Sequence, residues 1–287
     1  MPQNATGTLY IVATPIGNLE DMTFRAIRIL KEVDLIAAED TRHSRKLLSH
    51  YSIATRMTPY HDHNEQLKTD YLLEKLLEGH NIAIITDAGT PCIADPGYRI
   101  AKAAAEKEIK TVPIPGASAI AAALSASGLP SDRFAFEGFL PPKQGKRKAR
   151  LLEFKDDNRL IIFYEAPHRL AATLADMAEI LGCREVVIAR ELTKIHEEFR
   201  HGTPAELLEH YSAQTVKGEI VILLSPTTGQ SAAAEYDLEA TLRRYLVEES
   251  LSVRDAAARA SADSGRPRSE TYAISLAIKA TLPLPEK

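Results

Sequence analysis

Short apolar runs alternating with longer amphipathic stretches set the reading of this chain. Leu9–Ala13, Asp34–Ala38, Ile82–Thr86 and Lys110–Ile114 are runs of strand length rich in apolar residues, and each predicts a buried β-strand. Between them, Thr23–Lys31, His43–His50, Glu65–Glu78 and Tyr98–Glu108 repeat apolar residues at helical spacing, which predicts helices laid on the sheet. Asp21 or Thr23 can cap the first of these, and Gly79 closes the third. Ala119–Ser127 is an Ala-rich helix, small enough to approach a sheet closely. Strands alternating with helices predict an α/β fold with a mainly parallel, doubly wound sheet.

Gly128–Arg133 reads as a hinge to a second α/β unit. Its expected strands are Ala135–Phe139, Arg159–Tyr164, Glu185–Arg190 and Glu219–Leu224, and its expected helices are Lys146–Phe154, Leu170–Leu181 and Pro204–Tyr211. The small-residue run Thr227–Ala234 reads as a linker. Three short helices follow, at Leu238–Glu248, Val253–Asp263 and Ser269–Ala280. The expected organisation is therefore an α/β domain over 1–127, a second over 128–226 and a small helical domain over 235–287.

Composition adds exclusions. With 287 residues, 45% hydrophobic and 26% charged, the chain is an ordinary globular protein, and its net charge of −4 means that a nucleic-acid partner needs a local basic patch. Cys92 and Cys183 lie far apart with no CxxC pairing, so neither a disulfide framework nor a zinc site is expected and a reducing compartment fits. No uninterrupted apolar run approaches the roughly 20 residues of a membrane helix. The nearest, Ile114–Leu129, contains Pro115, Gly116 and Gly128. Met1–Thr8 is polar and uncharged, unlike a secretory leader, so the cytoplasm is the expected location.

Three predicted strands end in Gly/Pro loops: Pro15-Ile16-Gly17, Asp87-Ala88-Gly89-Thr90 and Pro115-Gly116-Ala117-Ser118. Ligands of open parallel sheets bind outside the carboxyl ends of the strands, and glycine lets the backbone come close to them. One such loop is plain turn chemistry; three on one edge predict a binding cleft. Neither a Walker A loop nor GxGxxG is present, which argues against phosphate cradling and against a nicotinamide-dependent oxidoreductase. The segments around Glu39, Asp40, Arg42, His43, His61, Asp62, His63 and Glu65 mix carboxylates and histidines but hold no HExxH. A helix cap and surface histidines are expected there, with no metal.

Together, TPIGNLEDMTFRA (14–26), DAGTPCIADPG (87–97) and PGASAI (115–120) resemble the tetrapyrrole-methylase superfamily. AAEDTR (37–42), HDHNE (61–65), FEGFLPPK (136–143), FYEAPHRL (163–170), ARELTK (189–194) and KGEIVIL (217–223) narrow the resemblance to the ribosomal RNA small subunit methyltransferase I family, over about Leu9–Leu224. The tail resembles that family's helical C-terminal domain more weakly. The resemblance implies S-adenosylmethionine as cofactor, held between two α/β domains, and a homodimer. It implies 2′-O-methylation of a cytidine in the decoding region of 16S rRNA, within the small ribosomal subunit. It carries Pro15 and Gly17 to the floor of the cleft. Asp87, Ala88, Gly89 and Thr90 fall beside the methionine and ribose, Ser118 and Ala119 at the methionine end. Tyr164, Ala166, Leu192, Gly218, Glu219 and Ile220 fall around the adenine. The first loop reads Ala13-Thr14-Pro15-Ile16-Gly17 and departs from the superfamily's Gly-x-Gly-Pro-Gly form.

A ribose hydroxyl is a weak nucleophile whose proton must be accepted or whose alkoxide must be stabilised. Glu191 or Glu165 is the expected proton acceptor, with Lys194 or Arg42 as the stabilising cation; each could instead be a structural ion pair. The run Pro141–Arg150 has five basic and no acidic residues, so Lys143, Lys146, Arg147, Lys148 and Arg150, extended by Arg169, are the expected RNA contacts. A solvated helix face is the plainer account of the same run. The tail around Leu251–Ala257 and Gly265–Tyr272 reads as helix, turn, helix, a second RNA surface or a simple hairpin. Two other functions stay open on sequence: methylation of a precorrin-type tetrapyrrole, and a non-catalytic ribosome-assembly factor on the same fold.

Overall fold

The computed structural model describes residues 6–61, 64–227, 238–249, 251–264 and 266–281. They fall in two compact units, Met1–Thr227 and Thr228–Lys287. The predicted linker beyond Thr227 lies outside the described residues, as do Asp62 and His63 of the second histidine segment.

In the first half, β1 (Leu9–Val12), β2 (Leu35–Ala38), β3 (Met57–Pro59), β4 (Ile82–Ile85) and β5 (Thr111–Ile114) form one sheet in the order β3-β2-β4-β1-β5, with every pair parallel. The helices between them are α1 (Phe24–Glu32), α2 (Thr41–His50), α3 (Glu65–Leu77) and α4 (Tyr98–Glu106). The inner strands β2 and β4 are apolar on both faces because both faces are covered. Ala83 and Ile85 join Ile29, Leu30 and Leu48 on one side. Ile82 and Ile84 join Leu72, Leu76 and Ile100 on the other. Thr23 caps α1 by accepting from the Ala26 amide, and Asp40 caps α2 by accepting from the Arg42 amide.

The second sheet has the order β6-β7-β10-β8-β9, from β6 (Phe134–Phe139), β7 (Leu160–Glu165), β8 (Val186–Arg190), β9 (Glu198–Gly202) and β10 (Ile220–Leu224). Only β6–β7 is parallel; β7–β10, β10–β8 and β8–β9 are antiparallel. Alternation of strands and helices in the sequence did not announce this mixed ladder. The helix α5 (Ala119–Ala126) of the first half packs on one face of this sheet through Ile120 and Ala123, against Ile162, Val187 and Val221. α6 (Gln144–Glu153), α7 (Leu170–Leu181) and α8 (Pro204–Ser212) cover the other face. The two sheets are thus joined through α5 within one unit.

The second unit contains α9 (Leu238–Val247), α10 (Val253–Ser264) and α11 (Arg268–Thr281). Leu238, Leu242, Tyr245, Ala256, Ala260 and Ile278 form its core. The Tyr245 hydroxyl donates to Asp263 at 2.6 Å, and Thr271 Oγ1 donates to the Ala257 carbonyl at 2.9 Å. No helix among the described residues is long and apolar enough to cross a membrane.

Candidate active site

The three Gly/Pro loops do meet at the carboxyl edge of the first sheet, and hydrogen bonds lock them together. Thr14 and Gly89 exchange backbone bonds of 2.9 and 3.1 Å, and Thr14 Oγ1 donates to the Thr86 carbonyl at 3.1 Å. Thr90 Oγ1 donates to the Ala117 carbonyl at 3.3 Å, tying the second loop to the third. Facing them across the inter-sheet space are the ends of β7 and β10 and the turn after β8.

A cavity of about 350 Å³ fills this space. Ile16, Ala88, Gly89, Thr90, Ser118 and Ala119 line it from the first sheet; Tyr164, Ala166, Leu192, Gly218, Glu219 and Ile220 line it from the second. Most residues expected around a cofactor therefore share one wall system. Sequence reading missed Ile93, Ala94 and Asp95, which complete the wall from the loop after β4, and Phe139 and Pro167 opposite. Tyr164 is a half-buried polar group on this wall, and its neighbour Glu165, on the same wall, is buried. Burial, with the Asp95 and Glu219 charges nearby, pushes its phenol up to about 12.

The missed loop has an anchor that also escaped the sequence. Glu65, expected only as part of a helix start, is buried at 9% exposure. Its carboxylate accepts from the Gly97 amide at 3.2 Å, from the Arg99 guanidinium at 3.1 Å and from the Tyr60 hydroxyl at 3.1 Å. These bonds fix the far end of the segment carrying Ile93, Ala94 and Asp95. A charged residue at a helix start gives no sequence signal of such burial.

Pro15, Gly17 and Asp87 do not line that cavity. They border a second one, of about 520 Å³, together with Leu19, His43, Lys46, Leu47 and Lys194. Ile16, Ala88 and Glu219 line both cavities, so the two adjoin at that wall. Lys194 lies across the first loop: a Cβ on Gly17 would fall 2.4 Å from its Cγ. Glycine is required there for a close approach rather than for a turn.

Of the four expected catalytic side chains, Glu191 and Lys194 come together. Lys194 Nζ donates to Glu191 Oε1 at 2.9 Å, and the same oxygen accepts from the Glu219 amide at 3.1 Å. Burial works to raise the Glu191 carboxyl, but the Lys194 and Glu219 bonds and the nearby Lys194 and Arg190 charges outweigh it and hold it below its ordinary value. Burial works to lower Lys194, but the Glu191 and Glu219 carboxylates raise it. Gly218, at φ +90°, leaves room for this anchor: a Cβ there would lie 2.2 Å from the Glu191 carboxyl carbon. Glu165 is buried and committed, accepting from Thr173 Oγ1 at 2.6 Å and the Ala166 amide at 2.8 Å beside Arg169. Arg42 is exposed and pairs with Asp40, whose carboxyl that bond holds at about 2; it borders neither cavity.

The basic run forms α6, but most of its charge is spent internally. Arg147 is 4% exposed and donates to Asp176 at 2.7 Å. Lys148 donates to Glu179 at 2.6 Å, and Arg150 pairs with Glu137 and Glu153. Arg169 donates to the Leu140 carbonyl at 2.6 Å. Lys143 and Lys146 are exposed and carry no ion pair with another described residue.

Comparison with known proteins places this geometry. The family described as Tetrapyrrole (Corrin/Porphyrin) Methylases matches residues 8–208. A cobalt precorrin-4 methyltransferase structure superposes with a TM-score of 0.59 at 14% identity, covering 78% of this chain and 97% of that one; the likeness is one of fold. The Ribosomal RNA small subunit methyltransferase I of Synechocystis sp. is 47% identical over 277 residues, 96% of this chain and 99% of that protein. The protein of the same name from Escherichia coli O157:H7 is 47% identical over 95% of this chain and 96% of its own length. By sequence along nearly its whole length, and by the two-sheet fold around a shared cleft, the chain belongs to the ribosomal RNA small subunit methyltransferase I family of tetrapyrrole-methylase fold.

Proposed function

We propose that this chain transfers a methyl group from S-adenosylmethionine to the ribose 2′-oxygen of a cytidine in the decoding region of 16S rRNA. The carrying observation is the pair of adjoining cavities, one walled largely by apolar groups and backbone, the other bordered by Lys46, His43, Lys194 and Asp87. Family membership supplies the reaction class.

The residues of the first cavity suit the cofactor. Its volume falls in the range of small-molecule sites. Ile16, Leu192 and Ile220 offer apolar contact, and Thr90, Ser118 and Tyr164 offer polar groups. The Asp95 and Glu219 carboxylates favour a cationic ligand. When bound, S-adenosylmethionine supplies an activated methyl group for in-line displacement. The chain's own part is to orient the acceptor and manage its charge. Lys194, held by Glu191, puts a cation on the acceptor side, where an oxygen develops negative charge. Asp87 borders the same cavity and, among the described residues, accepts a long bond of 3.3 Å from the Asp40 amide, which suits it to take the hydroxyl proton. Glu191 is a weak base in its pair and serves to position Lys194; Glu165 shapes the end of β7.

The test is calorimetric titration with S-adenosylmethionine, then tritium transfer to 30S particles lacking the modification, with the product mass-mapped. Uptake and 2′-O-methylcytidine at one site are expected. Uptake without transfer to RNA would favour an assembly factor, and transfer to a precorrin-type acceptor would favour tetrapyrrole methylation; either sinks the reading. Naked 16S rRNA run alongside distinguishes the free RNA from the subunit, the expected acceptor. Light scattering checks the homodimer that the family resemblance implies.

A further inference from the structure

The strongest unassigned feature is α2. Thr41–His50 carries Arg42, Arg45, Lys46, His43 and His50 and contains no acidic residue. Arg42 is paired with Asp40, whereas Arg45 and Lys46 have no ion pair with another described residue and are exposed. The helix turns Ser44 and Leu48 into the core. His43, Lys46 and His50 recur at three and four residues, so they share a stripe, and His43, Lys46 and Leu47 of that stripe form a wall of the second cavity. Lys194, from the turn after β8, borders the same cavity. Lys46, without an ion pair to another described residue, thus faces the same space as Asp87 and as Lys194, which Glu191 and Glu219 compensate; that space adjoins the first cavity at Ile16, Ala88 and Glu219.

Uncompensated surface cations are unfavourable neighbours of one another unless a polyanion or counterions attend them. A small neutral acceptor does not call for such a wall; a phosphodiester beside the reacting ribose does. We propose that His43 and Lys46 of α2 hold the backbone phosphate flanking the target ribose, with Arg45 and His50 continuing the phosphate track along the exposed helix. The ligand class is single-stranded RNA, recognised there through its backbone. This rests on the reading that the chain methylates RNA and assigns that substrate a docking element distinct from α6. Because His43, Lys46 and His50 are exposed, their substitution leaves the core intact.

Methyl transfer to unmodified 30S subunits, measured for the full chain and for Lys46→Ala and the double variant His43→Ala/Lys46→Ala, tests it. S-adenosylmethionine affinity is titrated in parallel as a check on folding and on the first cavity. The expected result is a KM for the 30S subunit raised roughly tenfold in the double variant, with cofactor affinity unchanged. The slope of log(kcat/KM) against log[salt] should fall by about one for Lys46→Ala. If the unsubstituted chain transfers no methyl to RNA, the functional reading itself fails and takes the inference with it. If it transfers methyl and both variants keep its KM and salt slope, α2 is a solvated helix face and the inference alone is overturned.

Discussion

Two helices carry clustered positive charge, and they use it in opposite ways. On α6 three of the four cations are consumed by the fold, Lys146 being the exception. Arg147 is buried against Asp176, and Lys148 and Arg150 reach carboxylates on α7, on β6 and in their own helix. On α2, Arg45 and Lys46 form no ion pair with another described residue, and Lys46 borders a cavity. Charge density along a sequence is therefore a poor guide to a polyanion surface. What counts is the charge left after neighbours from distant parts of the chain have been paired.

That contrast can be broken first at Arg147. Arg147→Ala leaves Asp176 buried with a lost partner and should cost about 3–5 kcal/mol in denaturant unfolding. A stable Arg147→Ala protein with weakened RNA binding would return α6 to the role its sequence suggests. Gly218→Ala asks how firmly the offered cation Lys194 is placed. The added Cβ meets the Glu191 carboxyl at positive φ, and a loss of about 1–3 kcal/mol is expected. It should come with weaker S-adenosylmethionine binding by calorimetry. Charge reversal on the two helices sharpens the comparison directly: Lys46→Glu should raise the KM for 30S subunits about tenfold and Lys146→Glu about twofold at most.

The smallest effect concerns the Glu191–Lys194 pair. Glu191 is held below its ordinary carboxyl value. Its stabilising contribution is thus present above the unfolded-chain value and is lost as pH falls through the lower folded value. Lys194 is raised, so its contribution persists up to its ordinary range and disappears only in more alkaline solution. Glu191→Gln should lower stability by about 1 kcal/mol near neutral pH, with the difference shrinking in acid. Thermal unfolding as a function of pH checks this; a difference that grew in acid would reverse the assignment of Glu191 as an anchored anion.

The strands and helices that bury an apolar face were legible, because hydrophobic spacing reports burial directly. β3 and β9 were not. Met57–Pro59 is too short to show a pattern, and Glu198–Gly202 is a polar edge strand whose residues are mostly half-buried. The three Gly/Pro loops were legible as one cleft edge. The partition of that edge into two cavities was not, since it depends on Lys194 arriving from the other sheet to lie against Gly17. Glu65 and Arg147 look like surface charges in sequence, and only tertiary pairing reveals their burial. The α2 stripe did leave a trace: ten residues without an acid, bordering a predicted strand end.

The two adjoining cavities divide the labour, and a crossed pair of variants measures that division. Ala166→Leu narrows the first cavity and Lys46→Glu alters the second; S-adenosylmethionine Kd and 30S KM are determined for both. Ala166→Leu should weaken cofactor binding at least tenfold and leave the KM at saturating cofactor unchanged, while Lys46→Glu should do the reverse. Both constants moving together in each variant would contradict it.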